Sequence, residues 1–335
     1  MEFNPNNIGV ANGNYFGLPC TIEEARIVLL SVPWDVTTSY RAGTHKGPQA
    51  MIDASLQIDL FDPLVPKAWE IPIGTLPPIK GIAKRNSSMR KAAEEVIAAL
   101  ELGQEAPQAL SMVNDSCTAL NKAVYQTART QLAQRKLVGI VGGEHSVPLG
   151  LLQALGESFP SFGILHIDAH ADLRSAYEGF LYSHASIMYN AIRLPQVHSL
   201  VQVAIRDYCQ DEADLIQSSA HIHCFTDELI HRRLFEGSTW NQLCGSIIEQ
   251  LPDCVYISFD IDGLTPDHCP NTGTPVPGGI TFREADYLLY ALANSGKRII
   301  GFDLCEVATG KNDEWDANVG ARLLYKLCCY THLSQ

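Results

Sequence analysis

A parallel α/β sheet covered by helices on both faces is the fold class that this 335-residue sequence predicts. Two observations carry that expectation. Short, continuously apolar runs alternate with helix-like segments, and strands apolar on both sides belong to sheets buried under two helical layers. Asp and His cluster directly after several of these runs, and open parallel sheets bind ligands beyond the carboxyl ends of their strands.

Taken in order, residues 1–24 carry scattered Asn, Gly and Pro and read as an irregular segment. A first strand is expected over 25–33. It leads into the Gly- and Thr-rich loop 34–48, a connection of the kind that lines a site. Pro48 suits the first turn of a helix, continued by Ala50-Met-Ile-Asp-Ala-Ser-Leu56. Several prolines make 60–82 a loop with short extended pieces. Over 83–134 the apolar spacing is near 3.6 and predicts helix, divided at Gly103 to Pro107. Further strands are expected at 136–141, 162–167, 200–205, 221–225, 254–259 and 298–304. Helices are expected from Pro148 to Gly156, Ser183 to Ile192, Thr226 to Arg233, Trp240 to Leu251 and Thr281 to Asn294. No repeat, low-complexity tract or linker interrupts the chain, so 1–335 is expected to form one domain.

Hydrophobic residues make up 46% and charged residues 18%, enough to fill a sizeable core. A net charge of −13 without Lys/Arg clusters argues against a nucleic-acid partner. The ten cysteines contain no C-x-x-C pair, and Cys224, Cys254 and Cys305 lie in apolar runs where a thiol acts as a small hydrophobe. There is neither a leader-like segment nor an apolar run long enough to span a bilayer. A reduced, cytoplasmic protein without a membrane partner is the expectation.

The chemistry is concentrated in His166-Ile-Asp-Ala-His-Ala-Asp-Leu-Arg174. Asp168, His170 and Asp172 alternate just past an apolar run, so they leave a strand end on one side. Asp260-Ile-Asp262 follows a second run, and Gly142-Gly-Glu-His145 a third. Singly, such residues are ordinary caps and turn formers. Together, His145, Asp168, His170, Asp172, Asp260 and Asp262 bring four carboxylates and two imidazoles to three strand ends. Four buried carboxylates would raise one another's pKa values, whereas two divalent cations would balance their charge. Mixed oxygen and imidazole ligation suits manganese, with nickel, iron, cobalt and zinc also admissible.

These motifs resemble the ureohydrolases, the family of arginase, agmatinase, guanidinobutyrase and formiminoglutamase. The resemblance rests on Gly142-Gly-Glu-His-Ser146, Asp168-Ala-His-Ala-Asp172, Ser258-Phe-Asp-Ile-Asp262 and Gly273-Thr-Pro-Val-Pro-Gly-Gly279, spans about residues 25–330, and is closest to agmatinase-like members. It implies a three-layer αβα sandwich with a central, mostly parallel sheet and a binuclear centre, usually of manganese. It also implies hydrolysis of a guanidinium or amidine carbon in a trimer or hexamer. Carried over position by position, Asp168 and Asp260 would bridge the cations. His145 and Asp172 would complete one site, and His170 and Asp262 the other. His184 would shuttle protons at the site mouth, and Glu306 would pair with the substrate guanidinium.

The sequence departs from the family at Thr265, where a third Asp is common, and this puts the rigidity of that loop in question. His268 in the same loop reads as outer or surface rather than as a ligand. For the substrate, Arg174 would favour a guanidino acid and Glu178 a guanidino amine. Trp315 in the 309–318 loop would close the pocket on small substrates, free guanidine included. The leading expectation is a metal-dependent amidinohydrolase acting on a small cationic guanidino substrate and releasing urea plus an amine or ammonia. Formiminoglutamate hydrolysis is an alternative, as is a catalytically silent ligand-binding relative, which would have lost some of these residues. Nucleotide binding finds no G-x-G-x-x-G or Walker loop.

Overall fold

The computed structural model describes residues 3–335. Its centre is one eight-stranded sheet in which every neighbouring pair is parallel. In chain order the strands are β1 (Ile27–Val32), β2 (Ile73–Thr75), β3 (Leu137–Gly142), β4 (Phe162–Ile167), β5 (Val197–Val203), β6 (Ile222–Phe225), β7 (Cys254–Asp260) and β8 (Arg298–Cys305). They lie across the sheet as β2-β1-β3-β8-β7-β4-β5-β6. The helices are α1 (Gly47–Ser55), α2 (Ile82–Glu101), α3 (Pro107–Ala133), α4 (Leu149–Ser158), α5 (Ile187–Ala191), α6 (Gln210–Ser218), α7 (Asp227–Phe235), α8 (Trp240–Glu249), α9 (Phe282–Ala293) and α10 (Trp315–Leu333).

Alternation along the strands divides the core in two. Ile27 and Leu29 of β1 face one side, with β7 residues Val255, Ile257 and Phe259, and pack beneath α1 and α7 to α10. Val28, Leu30 and Val32 face the other side, beneath α2 to α5. The result is the three-layer αβα sandwich. Capping boxes start α8 at Thr239 and α9 at Thr281, each hydroxyl accepting from the N–H three residues on.

The expected sandwich is borne out, with every strand pair parallel, and the 60–82 stretch, expected to be loop with short extended pieces, holds the edge strand β2. Other expectations need correction. Strand β5 begins three residues before the expected 200. The helix expected from Ser183 is a 3-10 turn, His184–Ser186, followed by the short α5. Helices α6 and α10 were not anticipated. Residues 3–24 are irregular but include a 3-10 turn that buries Tyr15 and Phe16. No helix among the described residues is long and apolar enough to cross a membrane.

This strand order matters for function. The chain passes from β3 to β4 over the two places later filled by β8 and β7, and β3, β8, β7 and β4 become the four central strands. Their carboxyl ends lie side by side, where a ligand crevice is expected.

Candidate metal centre

His145 follows β3, Glu306 follows β8, Asp260 ends β7 and Asp168 follows β4. Glycines let these ends converge. A Cβ on Gly143 would fall 2.1 Å from the Trp34 carbonyl oxygen, and one on Gly263 would meet the Asp168 nitrogen at 2.7 Å. Any side chain at Gly263 would therefore push the Asp260–Asp262 turn away from β4. Asp172 and Glu306 have positive φ, 55° and 61°, conformations that residues with a Cβ seldom adopt outside sites that require them.

The structure gathers all six residues expected to hold metal. His145 Nδ1 lies 2.9 Å from Asp168 Oδ2, 3.2 Å from Asp172 Oδ2 and 3.5 Å from Asp260 Oδ2. His170 Nδ1 lies 3.2 Å from Asp262 Oδ2 and 3.4 Å from Asp168 Oδ1. Of three groups of potential ligand atoms, one, His145, Asp303 and Cys305, lies on the Nε2 side of His145; the other two, His145, His166, Asp168 and Asp172 and then Asp168, His170 and Asp262, share Asp168. Asp260 sits beside them, with Oδ1 accepting the Asp262 N–H at 2.8 Å.

The charges in this cluster are strongly interdependent. Burial and then the charges of Asp262 and Asp168 push Asp260 well above the ordinary carboxylate range. Burial and Asp168 push Asp172 up to about 6. Burial would also raise Asp168, but His166, His145 and His170 hold it well below its usual value. His145 and His170, which burial alone would lower, are held well above theirs by the surrounding carboxylates. Such a cluster calls for positive charge. Two divalent cations fit its count of four carboxylates, Asp168, Asp172, Asp260 and Asp262, and its mixture of carboxylate and imidazole donors.

His145 is oriented from behind. Ser258 Oγ donates to Asp303 Oδ2 at 2.8 Å, so its oxygen accepts from His145 Nε2–H at 2.9 Å. With the proton held on Nε2, Nδ1 is the nitrogen that can give up its proton and turn a lone pair to a cation, the arrangement a ligating histidine requires. The His145 backbone N–H donates to Glu306 Oε1 at 2.9 Å. Glu306 Oε2 is buried without a partner, and burial together with Glu144 raises its carboxyl well above the ordinary range. A narrow crevice lined by Thr38 to Arg41, Gly273 and Thr274 joins Glu306 and His184.

His184 and His170 both border a larger cavity of about 160 Å³, with Ser39, Asp172, Arg174, Tyr177, Asp207, Glu212 and Thr274. Burial, and next the charge of His170, lowers His184 to about 4, so its ring is neutral near pH 7. Thr37 anchors it. The Thr37 hydroxyl donates to Glu144 Oε1 at 2.9 Å and accepts the His184 backbone N–H at 3.1 Å. Glu144, raised by burial to about 7, also accepts from the Thr37 backbone N–H and from Ser146 Oγ.

The residues expected to contact substrate fare differently. Arg174 lines the cavity, but its Nε is 3.7 Å from Glu212 Oε2 and its guanidinium lies over the Tyr177 ring. Glu178 does not line the cavity; it is half-buried at φ 53° and subject to Arg90 and Glu101. Trp315 is 48% exposed and outside the cavity lining, its indole N–H bonded to the Asp267 carbonyl at 2.8 Å. The expected closure by Trp315 is thus absent, because the first turn of α10 directs the ring to the 265–268 loop. That loop is held despite the missing third Asp: Thr265 Oγ1 bonds His268 Nδ1 at 2.8 Å, and His268 stacks on Phe282.

Sequence reasoning missed His166, Thr37, Glu144, Ser258 and Asp303. His166 had a signal, since it precedes Asp168 by two residues and shares its side of the strand. The contacts that bring the other four to the site, Thr37 with Glu144 and Ser258 with His145 and Asp303, join residues far apart in sequence.

The fold and site together define a hydrolase of the arginase fold. A family model described as the Arginase family matches residues 25–329. An N(1)-aminopropylagmatine ureohydrolase of Thermus thermophilus is 34% identical, over 90% of this chain and 89% of its own. An agmatinase of Bacillus cereus is 27% identical, over 86% and 85%. The solved structure of a proclavaminate amidino hydrolase from Streptomyces clavuligerus superposes with a TM-score of 0.75, covering 96% of this chain and 97% of its own at 22% identity. The chain belongs to the arginase family. Within it the chain is agmatinase-like, an amidinohydrolase acting on guanidino compounds.

Proposed function

We propose that this chain hydrolyses a small cationic guanidino amine to urea and an amine at a binuclear centre, with manganese as the metal and nickel as the alternative. The observation that carries the reading is Asp168 shared by two ligand groups, with the unpartnered Glu306 oxygen facing a crevice beside them. His145, Asp172, Asp168 and Asp260 would hold one cation, and Asp168, Asp260, His170 and Asp262 the other. Cations bound there would supply a nucleophilic hydroxide near neutral pH.

Glu306 would receive the guanidinium through a charge-assisted pair, with its other oxygen fixed by the His145 N–H. Attack forms a C–O bond at the guanidinium carbon, and a C–N bond then breaks. The leaving nitrogen needs a proton, and His184, neutral and bordering both cavities, would carry one from the attacking water to the amine. Thr37 would keep the ring in place.

For the substrate tail, Glu212 engages Arg174, which weakens the case for a guanidino acid. The Asp207 carboxylate at the same cavity suits an amine, as in the substrates named for the Thermus and Bacillus relatives. Free guanidine is the second reading, in which the substrate would fill only the narrow crevice at Glu306. The test is urea release from agmatine, aminopropylagmatine, arginine, guanidinobutyrate and guanidine, each with manganese and nickel. Urea from the two amines supports the proposal. Urea from guanidinobutyrate alone, or none from any, contradicts it. The resemblance also carries a homo-oligomer, a trimer or hexamer, which light scattering would detect.

A further inference from the structure

His166 is the one imidazole of the cluster that the reading above leaves without a role, although its ring is near enough to Asp168 and Asp172 to count as a potential ligand. We infer that His166 is a hydrogen-bond donor that positions Asp168, with its tautomer set by Gln202, and that it does not ligate metal. The inference rests on the binuclear reading and deepens it.

Gln202, fully buried on β5, donates from Nε2 to the Ala171 carbonyl at 2.8 Å. Turning the amide over would set its oxygen against that carbonyl oxygen, so the carbonyl fixes which end of Gln202 is nitrogen. The same Nε2 lies 3.0 Å from His166 Nδ1. A donor faces that atom, so Nδ1 must present a lone pair, and in the neutral ring the proton sits on Nε2. His166 Nε2–H therefore donates to Asp168 Oδ2 at 2.9 Å.

A ligating His166 would need the reverse, a bare Nε2 and a protonated Nδ1. That proton would meet the Gln202 amide, which offers only N–H there. His145 turns its other nitrogen to the site, since Ser258 holds the proton on its Nε2 and Nδ1 is the atom that faces the carboxylates. Two histidines of similar reach are thus set to different tasks by what stands behind them. Asp168 is correspondingly fixed at both ends: Oδ1 accepts the His170 backbone N–H at 2.6 Å and Oδ2 the His166 side chain. Each oxygen keeps a lone pair for a cation, and the plane of the shared carboxylate is set before any cation arrives.

The test uses full-length protein stripped of metal and titrated with Mn²⁺ by calorimetry, beside the absorption spectrum of the Co²⁺ form. His166→Phe should weaken cation binding by about 10–100-fold, the usual cost of losing a partner behind a ligand. At saturation it should still hold two cations with Co²⁺ bands where wild type has them. His166→Gln, whose amide N–H can reach the Nε2 position, should restore most of the affinity. Gln202→Leu should weaken binding in the same direction. Shifted Co²⁺ bands or loss of one cation at saturation in His166→Phe would make His166 a ligand and overturn the inference. So would unchanged affinity in that variant. Failure of the wild-type chain to bind two cations would instead strike the underlying metal reading.

Discussion

Asp168 is the residue on which the proposed centre turns, because both ligand groups include it and its carboxylate is oriented by two donors. Asp168→Asn keeps the shape but removes the charge. It should abolish cation binding and urea release together, as should Asp260→Asn, with metal content and rate measured on the same preparation. His184→Ala should separate the two readouts. Turnover should fall by about a hundred- to ten-thousand-fold, the usual contribution of a positioned proton carrier, while metal content stays at two per chain. The six clustered residues were legible in sequence because they leave their strands directly. Glu178 and Trp315 were not placed correctly, because loop direction depends on contacts no local pattern displays. The Thr37–Glu144 link spans 107 positions, a separation at which nothing local signals pairing.

Among the elements, the 34–46 loop bears most directly on catalysis, since Thr37 and Ser39 border the site. It is fastened to α2. Asp35 and Asn86 exchange two hydrogen bonds, at 2.8 and 2.9 Å, and Arg90 donates to the Val36 and Thr38 carbonyls. Asn86→Ala leaves the buried Asp35 short of partners and should cost about 1–3 kcal/mol in denaturant unfolding, with a raised KM as the loop loosens. Burial would raise Asp35, but the His45, Asn86 and Gly43 bonds overcome it and hold the carboxyl at about 2 against an ordinary 3.8. A depressed carboxyl stabilises the fold above its unfolded value and loses that contribution as pH falls through the folded one. Thermal melts should therefore show an Asp35-dependent loss of stability between about pH 4 and pH 2, reduced in Asp35→Asn. The strands were legible as apolar runs. Helix α10 was not, because it is buried almost all round, from Asp316 to Thr331, and a helix without a solvent face shows no 3.6-residue alternation. Helix α6 is short and polar, with only Glu212 buried, so its apolar signal is too weak.

For the whole molecule, the strand order is what joins residues 145, 168, 260 and 306 into one site. The strands and their class could be read from the sequence but their order could not, and it is seen in the pairing of β3 with β8 and β4 with β7. Because the cations would tie three strand ends together, those of β3, β4 and β7, binding them should stabilise the entire sheet, and the melting temperature should rise with cation concentration. The most direct measurement is a titration of Mn²⁺ into metal-stripped protein, with bound metal per chain and the rate of urea release from agmatine followed on the same samples. The account predicts almost no urea without metal and a rate that climbs with occupancy until two cations are bound. Undiminished urea release from stripped protein, or full activity in Asp168→Asn, would contradict it.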